Sequence, residues 1–276
     1  MVEAPSSPQP GMSTDRRKWP RQSAKFLIRY ALLRIMRMAM RFRAHVYPVD
    51  SDTRCLVVAP HQDDAALGCG GLIICKRLEG NPVDIVYVTD GSASHPGHPT
   101  LTPERLASQR RSEELAAIVT LGVERTRAHF LDAKDGTLST LEAAERERIV
   151  AGMAEIMLRT RPDEIFLPCR LDGSSEHDAS FVLVRDAIQR SLLSPRTFEY
   201  PIWALWSPQR LVAPLVSSQR VWTARFGGYE HLKLSALRMY RSQMESSPPW
   251  TEPVISREFV SFFGSCEEFF FESDVS

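Results

Sequence analysis

His61, Asp63 and Asp64 lie within four residues, directly after the apolar run Cys55-Leu56-Val57-Val58-Ala59 and Pro60. Imidazole and carboxylate are ligands for a divalent ion, and a His with an Asp three residues on is compact enough to hold one. Two adjacent carboxylates invite a split of roles: one binds, and the other stays free to move a proton. The plain alternative is a polar loop whose Asp caps the following helix. That helix opens with Ala65-Ala66-Leu67-Gly68-Cys69-Gly70-Gly71.

Such a cluster needs a strand that ends and a helix that begins, and in open α/β sheets that edge is where ligands bind. The pattern predicts strands over 54–59, 83–89, 128–131 and 164–168, alternating with helices over 66–79, 103–121, 141–160 and 178–192. This alternation implies a mainly parallel, Rossmann-like α/β sheet flanked by helices on both faces. Beyond residue 196, β-like runs over 197–205, 210–216 and 219–226 lead to a helix over 230–244. A late aromatic strand is expected near 258–271. This C-terminal β/α extension should extend or cover the sheet. Residues 1–22, rich in Pro, Ser and Arg, are expected to be a disordered tail.

Lys plus Arg equals Asp plus Glu at 34 each, so no global field favours nucleic acid. The five cysteines form no CxxC pair and read as reduced core thiols of a cytoplasmic protein. Residues 23–45 read as a basic amphipathic helix, in which Arg34, Arg37 and Arg41 share a face. Its arginines interrupt the apolar run, so it is too charged to span a bilayer, and it lacks a signal-peptide cleavage site. Two readings fit. Residues 23–43 either rest peripherally on the inner face of an anionic membrane or pack across the back of the sheet.

Residues 56–71 resemble the opening motif of the PIG-L (LmbE-like) deacetylases, zinc enzymes that remove acetyl groups from N-acetylglucosaminyl compounds. The family shows Ala/Pro-His-Pro-Asp-Asp-Glu and a Gly-rich turn; this chain reads Ala59-Pro60-His61-Gln62-Asp63-Asp64-Ala65, then Gly68-Cys69-Gly70-Gly71. The resemblance continues in order through Thr89-Asp90-Gly91, Arg110-x-x-Glu113, Leu121-Gly122, Asp135-Gly136, Arg161-Pro162-Asp163, Asp172…His177 and Lys233…Ser242-Gln243. It implies a deacetylase domain over 53–276. It also implies that His61, Asp64 and His177 bind one Zn²⁺, leaving a position open for water. Iron or cobalt would suit the same donors. Asp63 matches the general base. The implied substrate is an N-acetylated amino sugar of the GlcNAc type, lipid-linked if the basic helix meets a membrane. An amidase for another acyl amide and a carbohydrate-binding protein of weak activity are the alternatives.

The chain departs from the family at Ser174, where a positively charged His usually stands, and at Glu176, Ala65 and Gln62, which replace Asp, Glu and Pro. A hydroxyl donates a hydrogen bond but brings no charge. His95, His98, His231 or an arginine could supply the missing electrophile. Asp90, Arg110, Asp135, Ser174 and Glu176 are the expected substrate-binding or supporting residues. Their plain readings are a strand-end turn at Asp90, an ion pair of Arg110 with Glu113, and a turn at Asp135-Gly136. His129 reads as a core histidine, 95–98 as a mobile covering loop, and Tyr200, Trp203 and Trp206 as packing or a sugar platform.

Overall fold

The computed structural model describes residues 24–49, 52–216 and 219–273; the expected disordered tail, 1–22, lies outside them. In chain order the strands are β1 His45–Val46, β2 Cys55–Ala59, β3 Val83–Thr89, β4 Ala128–Ala133, β5 Glu164–Pro168, β6 Arg196–Tyr200, β7 Val221–Arg225 and β8 Glu267–Ser273. The helices are α1 Ala24–Arg43, α2 Asp64–Leu78, α3 Pro103–Thr120, α4 Ala143–Thr160, α5 Ser175–Ser191, α6 Pro208–Val216, α7 Glu230–Leu237, α8 Arg241–Met244 and α9 Arg257–Phe263.

Among the described residues the strands form one sheet in the order β1-β7-β8-β6-β5-β2-β3-β4. Pairing is parallel except where β8 runs antiparallel between β6 and β7. The order explains where a ligand should sit. From β2 the chain steps outward to β3 and β4, then returns to place β5 on the other flank of β2. The carboxyl ends of β2 and β5 therefore border the switch point, where an open α/β sheet leaves a crevice.

Both faces are covered. Leu56 and Val58 of β2 point into a core built with α4 and α5, while Cys55, Val57 and Ala59 join the opposite core, with α2, α3, α7 and α9. Burial on both sides is why β2 reads as an unbroken apolar run.

α2 packs closer than ordinary side chains allow. A Cβ on Gly68 would meet the Tyr200 ring at 2.3 Å, and one on Gly71 the Phe226 ring at 2.1 Å. Beneath this helix lies a buried ion pair. Lys233 Nζ donates to Leu67 O at 2.8 Å and to Glu268 Oε1 at 2.6 Å. Glu268 in turn accepts from the N–H groups of Gly71 at 2.7 Å and Leu72 at 2.9 Å. Leu67 O and Gly71 N are spaced as ladder partners of an α-helix, and both meet these side chains.

Several expectations are corrected. Residues 208–216 form α6, not a β run, and the aromatic segment divides into α9 and β8. The helix expected over 230–244 breaks into α7 and α8, and β6 stops at Tyr200. His129 is not a core histidine: its Nε2 lies 2.9 Å from Asp84 and its Nδ1 3.2 Å from Arg159. Four cysteines are buried, but Cys266 is exposed. No described helix is long and apolar enough to cross a membrane.

α1 packs by one face only. Leu33 and Met40 are buried, Tyr30 meets Phe262 edge-on at 6.4 Å, and Arg37 turns inward to donate to Phe262 O at 3.0 Å and to Glu267. Arg37 thus leaves the basic face expected for it.

Candidate metal centre

β2 delivers the cluster and β3 pins it. Pro60 O accepts from the N–H of Thr89 at 3.0 Å and from its hydroxyl at 2.8 Å, and Gln62 Nε2 donates to Thr89 O at 2.9 Å. Gly91 passes so close that a Cβ there would sit 2.1 Å from Gln62 Oε1, at a φ of +71° that disfavours side chains in any case.

Asp63 occupies the N-cap position of α2, yet its side chain makes no capping bond. The capping reading fails on that point. Its backbone instead adopts φ 115°, ψ −33°, a strained conformation for a non-glycine residue. The N–H donates to Glu114 Oε2 at 3.1 Å, and the carboxylate turns to the buried guanidinium of Arg110, 3.4 Å away. Arg110 is further held by donating to the carbonyls of Gln62 and Gly91.

Asp64, one residue on, faces the other way. Its Oδ2 lies 3.1 Å from His61 Nδ1 and 3.6 Å from His177 Nε2. A tetrahedral ion with bonds of about 2.1 Å separates its ligands by about 3.4 Å, so the donor set fits one small divalent ion. His177 comes from the first turn of α5, beyond β5. The second nitrogen of each imidazole meets a carboxylate. Asp172 Oδ2 lies 2.8 Å from His177 Nδ1, and Asp135 Oδ1 lies 3.2 Å from His61 Nε2. Such partners fix which nitrogen faces the ion. Asp172 is itself held by the N–H groups of Ile202 at 3.1 Å and Ala204 at 2.9 Å. Ala93 N–H holds Asp135 at 2.9 Å.

The two adjacent carboxylates differ electrostatically. Burial pushes Asp63 up to about 7, only partly offset by Arg110. Burial also works against ionising Asp64, but His177 and His61 outweigh it and hold Asp64 well below the usual carboxylate range. With no ion present, burial alone would lower both imidazoles. Contacts with Asp135 and Asp64 carry His61 up to about 10, and Asp64 with Asp172 carry His177 up to about 9.

Other candidates find defined places. Arg110 does not pair with Glu113; Glu113 instead accepts from the N–H and hydroxyl of Ser242, at 2.9 and 2.6 Å. Asp90 accepts from the N–H groups of Ser92 at 3.0 Å and Asp135 at 3.1 Å, tying the loop after β3 to the one after β4. Glu176 accepts from Leu138 N–H at 3.0 Å, and with His61 and Asp135 it forms a second group whose ligand atoms lie within 4.8 Å of one another. Ser174 precedes α5 without a capping bond, and Arg210 donates to the carbonyl of Asp172 two residues before it. His95 stacks on Trp250 at 5.0 Å, and His98 Nδ1 accepts from Leu101 N–H at 3.0 Å, so the 95–98 loop is anchored. His231 is exposed on α7. Tyr200 is buried with its hydroxyl on Val58 O, and Trp203 and Trp206 pack on Phe259. Two residues carry more than the sequence showed: Asp172 behind His177, and Glu114 behind Asp63. The signal for Glu114 is its place among Leu106, Arg110, Ala117 and Ile118 on the buried face of α3.

Residues 56–188 match the family profile of the GlcNAc-PI de-N-acetylases, PIG-L. Diacetylchitobiose deacetylase of Thermococcus kodakarensis is 31% identical over 130 residues, 44% of this chain and 42% of that one. The chain thus spans under half the length of that curated relative. Among solved structures, N,N'-diacetylchitobiose deacetylase from Pyrococcus horikoshii superposes with a TM-score of 0.57 at 20% identity, covering 82% of this chain and 81% of that one. The A40926 pseudoaglycone deacetylase Dbv21 gives 0.59 at 20% identity, covering 80% and 97%. GalB, the 4-carboxy-2-hydroxymuconate hydratase from Pseudomonas putida KT2440, gives 0.57 at 16% identity, covering 76% and 82%. The same fold therefore accompanies different reactions, and the reaction must be argued from the site.

Proposed function

We propose, for a chain whose residues 56–188 belong to the PIG-L family, that it removes the acetyl group from an N-acetylated amino sugar of the GlcNAc type. One observation carries this reading. Asp64 gathers His61 and His177 at 3.1 and 3.6 Å, while neighbouring Asp63 is turned away to Arg110. Binding and proton transfer are thereby divided between adjacent carboxylates.

His61, Asp64 and His177 would hold one Zn²⁺. When bound, the ion would supply Lewis acidity and make water acidic enough to ionise near neutral pH. Asp63 takes the proton of the attacking water. A carboxylate raised to about 7 is well matched to accepting a proton and returning it near neutrality. The leaving amine nitrogen receives that proton. Arg110 fixes the Asp63 carboxylate, and Asp172 and Asp135 hold the two imidazoles in orientation. The Ser174 hydroxyl would offer an uncharged hydrogen bond to the oxyanion.

The test is amine release from a panel of N-acetylated amino sugars, with metal content measured on the same protein. Asp63→Asn is expected to retain metal and lose about 10²–10⁴-fold in turnover. His177→Ala is expected to lose both. Metal-replete protein that releases no amine from any sugar, or an Asp63→Asn variant with unchanged turnover, would overturn the proposal.

A further inference from the structure

We propose that the outward face of α1 is a contact surface for an anionic lipid bilayer. Leu27, Ile28, Leu32, Ile35, Met38 and Phe42 are all exposed, Phe42 by 84%. At 100° per residue these side chains fall on one half of the helix. They are opposite Leu33, Arg37 and Met40, which hold α1 to the protein. An apolar stripe of this size on a free surface marks an interaction site.

Charge selects the occupant. On the same wheel Arg34 and Arg41 border one side of the stripe and Arg43 borders the other. Long cationic side chains in that position reach headgroup phosphates while their stems lie along the apolar surface. The sequence between Arg16 and Val49 holds ten Lys and Arg and no Asp or Glu. A second copy of this helix would bring the same positive charge against itself, whereas an anionic leaflet attracts it. Inward Arg37 sharpens the pattern: paired with Glu267, it is an anchor, while Arg34, Arg43 and the half-exposed Arg41, itself 3.4 Å from Glu267, frame the stripe.

A run of contacts through one loop links the inward side of α1 to the support of the metal centre. Arg29 of α1 donates to Trp206 O and lies 4.7 Å from the centre of that ring. Trp206 is two residues beyond Ala204, whose N–H holds Asp172 behind His177. A bilayer held by α1 would also be the source of an N-acetylated sugar on a lipid carrier. That consequence rests on the deacetylase reading; the bilayer surface does not.

The test is co-sedimentation of the full chain with phosphatidylcholine vesicles, with and without phosphatidylglycerol. The chain is expected to pellet with the anionic vesicles only. Ile35→Glu with Phe42→Glu should abolish pelleting without changing the thermal midpoint, since both sites are exposed. Arg34→Gln should weaken partition about fivefold. Amine release from a soluble sugar should be the same in all of these, which keeps failure of this proposal distinct from failure of the catalytic one. No pelleting, or equal pelleting with neutral vesicles, would overturn it. So would a dimer in solution that the Phe42→Glu variant dissociates.

Discussion

The backbone N–H of Asp63 donates to Glu114 Oε2 at 3.1 Å, so a carboxylate on α3 fixes the strained φ of 115° with which Asp63 leaves the β2 edge. Glu114 is fully buried and also accepts from the Tyr87 hydroxyl. Glu114→Ala would leave both donors without that acceptor, at about 1–3 kcal/mol each. It is expected to lower the thermal midpoint and to cut turnover sharply. Glu113→Ala, one residue away, frees Ser242 and the exposed Gln109 amide and should keep most activity. Melting curves and amine release on the two variants check this. Wild-type turnover in Glu114→Ala would contradict the positioning role.

A pH scan of metal-free protein separates the imidazoles from the carboxylates. His61 and His177 rise from 6.5 to about 10 and about 9 on folding. A raised folded-state value means the native state holds more protons. Their stabilisation is therefore complete below about 6.5 and is lost as pH rises through 9 and 10. Metal-free protein should melt progressively lower across that window. Metal binding must displace these protons, so calorimetry in two buffers should detect proton release. Metal affinity that does not increase with pH would speak against both imidazoles as ligands.

Ser174→His tests the departure at α5. The variant restores the charged group usual in the family, and one oxyanion partner is typically worth about 10²–10³ in rate. Turnover should rise with little change in metal content. A fall in both would mean that this chain has rebuilt the pocket around the hydroxyl.

Lys233 predicts a stability effect away from the chemistry. Burial pushes its ammonium down, and Glu268 counters this. Lys233→Met leaves Glu268 buried without its cation, and removing one partner of such a pair costs about 3–5 kcal/mol. Adding Glu268→Gln should recover part of the loss. Chemical denaturation of the three proteins decides, and a single variant as stable as the wild type would refute the role.

How much of this was legible in the sequence depended on what sets each feature. β3 and β5 read residue for residue, because a strand covered on both faces is a short and mostly apolar run. Residues 210–216 are also a short apolar run, and such a run does not distinguish strand from helix. Packing of α6 on α1 decides it. The aromatic content of Phe259, Phe262 and Phe263 suggests strand, whereas their spacing of three and four suits α9. In the site, His61 and Asp64 are local in sequence, and the resemblance supplied His177. Arg110 looked paired to Glu113, because one helical turn is all that sequence shows. The partners it takes instead, Gln62 and Gly91, come together only when α3 docks against the loops after β2 and β3. Glu114 stayed hidden for the same reason.

The wedge of Lys233 and Glu268 in α2 bears on the order in which the molecule is made. The helix that starts at Asp64 is closed from below by a residue of β8, about two hundred positions later in synthesis. A nascent chain that has emerged from the ribosome only through α5 already contains the three ligands and Asp63, but not the lysine or the glutamate that seat their helix. The centre would thus become competent only after β8 has been made and slides between β6 and β7.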